Sequence, residues 1–149
     1  MSFDAELYDE GNQERLCTIA GVTVGSVESI EEALLRQGPV PFLGTLYDGS
    51  KSEGRLVAGH PGQRLNTRLS VVIVAESWRS REGGRVGALQ LIKAVKNAIV
   101  TRGAARGEWQ NPEAEGPFVY DEDNFMQRSG NRVAYQVDFH ASAYDDFNG

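Results

Sequence analysis

From Arg132 to Tyr144 the chain alternates. Val133, Tyr135, Val137, Phe139, Ala141 and Ala143 interleave with Arg132, Ala134, Gln136, Asp138, His140 and Ser142. A period of two predicts a long β-strand with one buried and one wetted face. A second strand is expected over Leu65 to Trp78. Its centre, Leu69 to Ala75, is rich in β-branched residues and nearly continuous in hydrophobicity. That pattern predicts a central strand covered on both faces. Val40 to Tyr47 reads as a third strand, ending in a turn at Asp48-Gly49. Residues 48–66, rich in Gly, Ser, Lys and Arg, read as a long exposed loop or a protruding hairpin.

Two helices are expected. Ser29-Ile30-Glu31-Glu32 has capping-box spacing, and Ile30, Ala33 and Leu34 then share a face. Gly38 and Pro39 stop this short helix. The longer helix places Ala88, Leu91, Ile92, Val95, Ala98 and Ile99 at spacings of three and four, and ends around Thr101-Arg102-Gly103. A polar loop, Arg79 to Arg85, leads into it. Residues 101–117 read as a further loop. Phe118-Val119-Tyr120 reads as a short strand, Asp121-Glu122-Asp123 as a charged turn, and Phe125 to Arg128 as a strand. That strand joins the last one through Ser129-Gly130-Asn131. Residues 1–15 lack a period and read as a loose arm; Leu16 to Val24 is apolar enough for a strand or hairpin. The expected class is α+β: a mostly antiparallel sheet with the two helices packed on one face. Residues 26–149 form this domain and residues 1–25 an N-terminal arm or extension.

Composition narrows the roles. The 149 residues are 40% apolar and 24% charged, an ordinary globular balance for one domain. The formal charge of −6 argues against coating nucleic acid, which needs a basic face. No apolar run is long enough to span a membrane, and the start, Met-Ser-Phe-Asp-Ala-Glu, lacks a signal-peptide pattern. Cys17 is the only cysteine, so no intrachain disulfide or thiolate zinc site is expected. Synthesis in a reducing cytoplasm follows.

Candidate chemistry is sparse. Gly83, Gly84 and Gly87 miss the dinucleotide-loop spacing. Asp121, Glu122, Asp123 and Asn124 resemble the front of a calcium loop, but Met126 and Arg132 stand where its Gly and final Glu belong. The favoured reading is a solvated acidic turn, whose carboxylates suit a basic patch on a partner. His60 and His140 read as surface residues, and Cys17 as a small hydrophobe. An enzyme would need a convergent pocket around His140, or around Asp121 and Asp123. No catalytic, cofactor or metal residues are assigned. Arg79, Arg81 and Arg85 beside Trp78 are either a solvated loop or a contact with a subunit or partner, since arginine and aromatics are enriched where proteins meet. Arg102 and Arg106 would extend that patch. The candidate interface is thus Trp78, Arg79, Arg81, Arg85, Asp121 and Asp123.

Four stretches together resemble a known family. They are the capped helix Ser29 to Leu35, the strand Val40 to Tyr47, the strand–loop–helix from Leu69 to Ile92, and Phe118 to Ala141. Across residues 27–143 the chain resembles the Mu-type phage tail proteins grouped with tail terminators, or tail completion proteins. The resemblance implies an α/β sandwich that assembles with itself as a homohexameric ring at the head-proximal end of the tail. Such a ring stops tube polymerisation and joins the head connector. The implied partners are further copies of this chain, the tail tube protein, the head–tail connector protein and, in a contractile tail, the sheath protein. DNA would pass through the bore without specific binding. The implied place is the virion, and the implied work is binding without catalysis, cofactor or membrane. A head–tail connector or tube-like subunit is the alternative role. The closed ring implies heterologous contacts, two different faces of each subunit meeting.

Overall fold

The computed structural model describes residues 2–56, 62–76, 81–100 and 109–147, apart from the side chains of 53–56 and 81–86. The elements are α1 (Ala5–Leu16), β1 (Thr23–Ser26), α2 (Ile30–Leu35), β2 (Phe42–Leu56), β3 (Gln63–Glu76), α3 (Arg81–Ile99), β4 (Val119–Ser129) and β5 (Arg132–Asp145). One five-stranded sheet runs in the order β1-β2-β3-β5-β4. Only β1 and β2 pair in parallel; the other pairs are antiparallel. The fold is α+β with a mostly antiparallel sheet.

β3 lies at the centre and is buried from Leu69 to Ala75. Its odd residues Leu69, Val71 and Ile73 join Leu43, Val137 and Phe139 in one core with Tyr8 and Leu16 of α1 and Ile92, Val95 and Ile99 of α3. Its even residues Val72 and Val74 join Phe42 and Ala134 in a second core beneath Ala33 and Leu34 of α2. Each of these large aliphatic side chains contributes about 1.5–3 kcal/mol by leaving water. Covering on both faces thus explains the nearly continuous hydrophobicity of this strand. Two helices do share one face, but they are α1 and α3. The short helix expected beside α3 packs on the opposite face.

The segment 1–15, expected as a loose arm, is the packed helix α1. Asp4 caps it, its carboxylate accepting from Glu6 N and Leu7 N at 3.0 Å. The buried positions are Tyr8, Asn12 and Leu16, spaced by four, and one of them is polar. An apolar period is therefore missing although a buried stripe exists. The apolar stretch expected to begin at Leu16 instead starts with the last turn of α1. The strand proper begins at Thr23, and the expected boundary at residue 25 falls inside β1.

Further expectations shift at the level of local geometry. Ser29 caps α2 by accepting from Glu32 N at 3.0 Å, but the Glu32 carboxylate reaches back to Glu28 N, one residue earlier than a capping box requires. Past its end, the Arg132 guanidinium donates to Arg36 O at 2.7 Å and Gly38 O at 2.9 Å, tying the α2 exit to β5. Asp48-Gly49 is not a turn but a bulge inside β2, with Gly49 at φ 94. Of the two readings of residues 48–66, the β2–β3 hairpin is the one that forms, pairing as far as Leu56 with Gln63. α3 begins at Arg81, so Arg81, Gly83, Gly84 and Arg85 are helical rather than part of a loop. Buried Ala88, Ile92 and Val95 anchor that helix and outweigh the roughly 1 kcal/mol that each helical glycine costs. It ends at Ile99; Thr101 to Gly103 lie outside the described residues. The acidic turn is likewise absent. Residues 119–129 form one strand whose register against β5 slips at Asp121 and at Met126. Gly130, at φ 58, then turns the chain tightly into β5.

Candidate interaction surface

β4 is an edge strand, and nearly all of it faces solvent. Edge strands are usually short or strongly charged. This one is eleven residues long and exposes Val119, Tyr120, Phe125 and Met126. Its central acids are flanked by these apolar side chains.

The strand is fixed from both sides. On the face shared with α3, Lys96 Nζ sits 2.8 Å from Asp123 Oδ2 and 4.1 Å over the Tyr120 ring. Tyr120 Oη donates to the same carboxylate oxygen. The hydrogen bonds from Lys96, then Tyr120, hold the Asp123 carboxyl below the usual carboxylate range, and the bond to Asp123 raises Lys96 above its ordinary value. The Asp123 bond also raises Tyr120. Two residues further on, Phe125 stands edge-on to Tyr135 at 5.5 Å. On the opposite face His140 Nδ1 lies 2.7 Å from Asp121 Oδ1.

That opposite face carries a second polar group. Ser70, fully buried, places its Oγ 2.6 Å from Asp48 Oδ2 and 2.7 Å from Asp138 Oδ1. One hydroxyl hydrogen serves one carboxylate at a time. Gln136 Nε2 supplies further donors, to Asp138 Oδ1 at 2.8 Å and to Ser70 Oγ at 3.3 Å. The cluster links β2, β3 and β5 where α2 no longer covers the sheet.

The sequence-derived interface is only partly assembled. Trp78 and Arg79 lie outside the described residues. Arg81 and Arg85 belong to the first turns of α3, and their side chains are outside the described set. Asp121 and Asp123 belong to one strand but serve opposite faces, each already paired within the chain. They do not form a joint carboxylate site for a basic partner. What sequence reading missed is the exposure of Val119, Tyr120, Phe125 and Met126 and the clamp with Lys96. The aromatic and apolar letters were visible, but two register slips hide the strand that joins them.

His140 pairs with Asp121, while Asp123 serves the other face of β4. A groove of about 480 Å³ lies between α3 and the segments around Ile19 and Pro41, lined in part by Leu91, Gln90 and Glu76, and contains neither His140 nor Asp121. No group of three or more histidine, cysteine or carboxylate side chains suited to a metal occurs among the described residues. No described helix is long and apolar enough to cross a membrane.

The clamp makes a titration prediction. A carboxyl with a depressed pKa adds stability that is complete above its unfolded value and lost as pH falls through its folded value, here below about pH 4. Lys96→Met removes the larger cause. Asp123 then titrates nearer the ordinary carboxylate value, and the part of the acid loss of stability that it carries shrinks. The partial exposure of both groups keeps the accompanying loss at neutral pH under about 1 kcal/mol. Carboxyl-carbon NMR titration checks this; an unmoved Asp123 curve contradicts the clamp.

No protein-family model matches this chain, and no curated protein matches it either.

Proposed function

We propose that this protein is a structural assembly subunit that works by joining copies of itself into a ring, in the manner of the phage tail terminators it resembles. The observation that supports this reading is the long solvent-facing edge strand with its four large apolar side chains. Exposed apolar groups rimmed by charge mark protein–protein contacts. The ring would cap a tail tube at its head-proximal end, stop its growth and present a surface to the head connector, and to a sheath protein in a contractile tail. The charge of −6 is compatible with a bore that lets DNA pass without holding it.

The reading is tested by solution mass and electron microscopy of the pure protein with purified tail tubes. One closed ring at the tube end is expected. A strict monomer at all concentrations, with nothing bound to tubes, overturns the proposal, and an open-ended polymer converts it to a tube-like subunit. Phe125→Asp supplies a sharper check. It places a charge in the apolar part of β4, and self-association should weaken by tenfold or more, while circular dichroism stays that of the native fold. Unchanged assembly would remove β4 from the contact.

A further inference from the structure

The helical layer on one face of the sheet is incomplete. On that face α1 packs over β1 and β2, and α3 packs over β3 and β5. Of the three helices only α2 packs broadly on β4, and it does so from the other face. Among the described residues no helix covers the face of β4 beside α3. Its floor is Tyr120 and Phe125, the latter 54% exposed. Its wall is the flank of α3 that Lys96 defines by reaching Asp123. Lys93 and Leu89 precede Lys96 by three and seven residues, so they share that flank. Leu89 is 46% exposed. This floor and wall form a slot that opens at the free edge of β4.

We propose that this slot receives α1 of a second copy of the chain. α1 buries Tyr8, Asn12 and Leu16 in its own subunit and turns the opposite side outward. That outward side carries Glu6, Leu7, Glu10 and Glu14, all exposed, with Leu7 at 52%. It offers one apolar side chain and three carboxylates. The slot offers Leu89 and Phe125 with Lys93 on its wall and Arg128 at its end. Neither Lys93 nor Arg128, nor Glu6, Glu10 or Glu14, has an ion pair among the described residues. The two surfaces match in charge and in apolar content, and among the described residues neither is occupied by another element. The contact joins different faces of two copies, so repeated in one sense it propagates head to tail and can close as a ring. It rests on the self-assembly proposed above and names the surfaces that carry it.

The test uses the full chain with Cys17→Ser as background. Leu7→Cys and Phe125→Cys variants, carrying different tags, are mixed and oxidised with copper phenanthroline. A disulfide between the two tags is expected in the mixture, in preference to links between identical variants. In parallel, Lys93→Glu and Glu10→Lys each weaken self-association about tenfold, because like charges then meet across the contact. Combining both reversals restores it. Assembly that persists with no mixed-tag link, and that ignores both reversals, overturns the slot while leaving the ring intact. A link from Phe125→Cys to another component of purified tails, and none between copies, overturns the second-copy assignment. A monomer at every concentration overturns the ring and the slot together.

Discussion

Replacing Tyr8 by Ala should cost about 3–5 kcal/mol of stability, the range for removing a large aromatic from a core. For a chain of this size that lowers Tm by roughly 10 °C. Tyr8 is fully buried and meets three other rings: Phe3 at 5.4 Å, Tyr47 at 5.6 Å and Phe118 at 5.8 Å. Its hydroxyl lies 3.1 Å from Thr67 Oγ1, which in turn donates to Ala141 O at 2.9 Å. One side chain of the first helix therefore touches the second strand, the central strand and the segment entering β4. Tyr8→Phe keeps the ring and should cost only about 1 kcal/mol, since Thr67 retains its backbone partner. Burial raises the Tyr8 pKa, so the phenol stays neutral in the folded state after it would ionise in the unfolded chain. Stability should accordingly fall as pH rises above about 10, and the Tyr8→Phe variant should lose part of that slope. Urea and thermal unfolding measure all three effects. A Tyr8→Ala protein as stable as the parent would show that α1 does not belong to the core.

The second large effect is expected at Asn111. Its Nδ2 donates to Tyr8 O and to Asn12 Oδ1, both at 2.8 Å, and its Oδ1 accepts from Glu113 N at 2.9 Å. The side chain is fully buried. Asn111→Leu keeps much of the volume and strips partners from a carbonyl, an amide oxygen and an amide hydrogen. Each orphaned buried group costs about 1–3 kcal/mol, and partial relaxation leaves a net loss of about 3 kcal/mol. Among the described residues Asn12 Nδ2 has no well-formed hydrogen-bond partner, so local repair is limited. Because Asn111 grips the backbone of Tyr8, the two substitutions should not add. The double variant should lose less than the sum by at least about 0.5 kcal/mol. Strict additivity in denaturant unfolding would mean that the loop and α1 stand independently.

Elements whose buried positions are mostly apolar could be read from the chain. β3, β5 and the body of α3 show their periods because leucine, valine, isoleucine and alanine fill them. α1 could not be read that way, because its stripe includes Asn12, whose Oδ1 accepts from Asn111 in a loop ninety-nine positions away. β4 failed for another reason. Its two bulges reset the alternation at Asp121 and at Met126, and the acids between them look like a turn. The nearly continuous hydrophobicity of Leu69 to Ala75 did announce cover on both faces. It could not say which helix takes which face, since that depends on connections and not on the strand. For the surface, Asp121 and Asp123 were named, but their partners His140 and Lys96 come from other strands and helices. Adjacent charges in sequence were read as one group; the sheet sends them to opposite sides.

β5 is the last strand in the chain but sits second from the edge, between β3 and β4. During synthesis every residue of β3 emerges before its partner over Gln63 to Glu76 exists. Until residues 132–145 leave the ribosome, Leu69 to Ala75 present an unpaired, β-branched edge, and Thr67 has no Ala141 carbonyl to receive its hydroxyl. Such long-range closure makes folding slow relative to a helical protein of equal length. It also makes the nascent chain a substrate for chaperones and a hazard for aggregation. A chain cut short before Arg132 should therefore accumulate as insoluble material and not as a smaller folded domain.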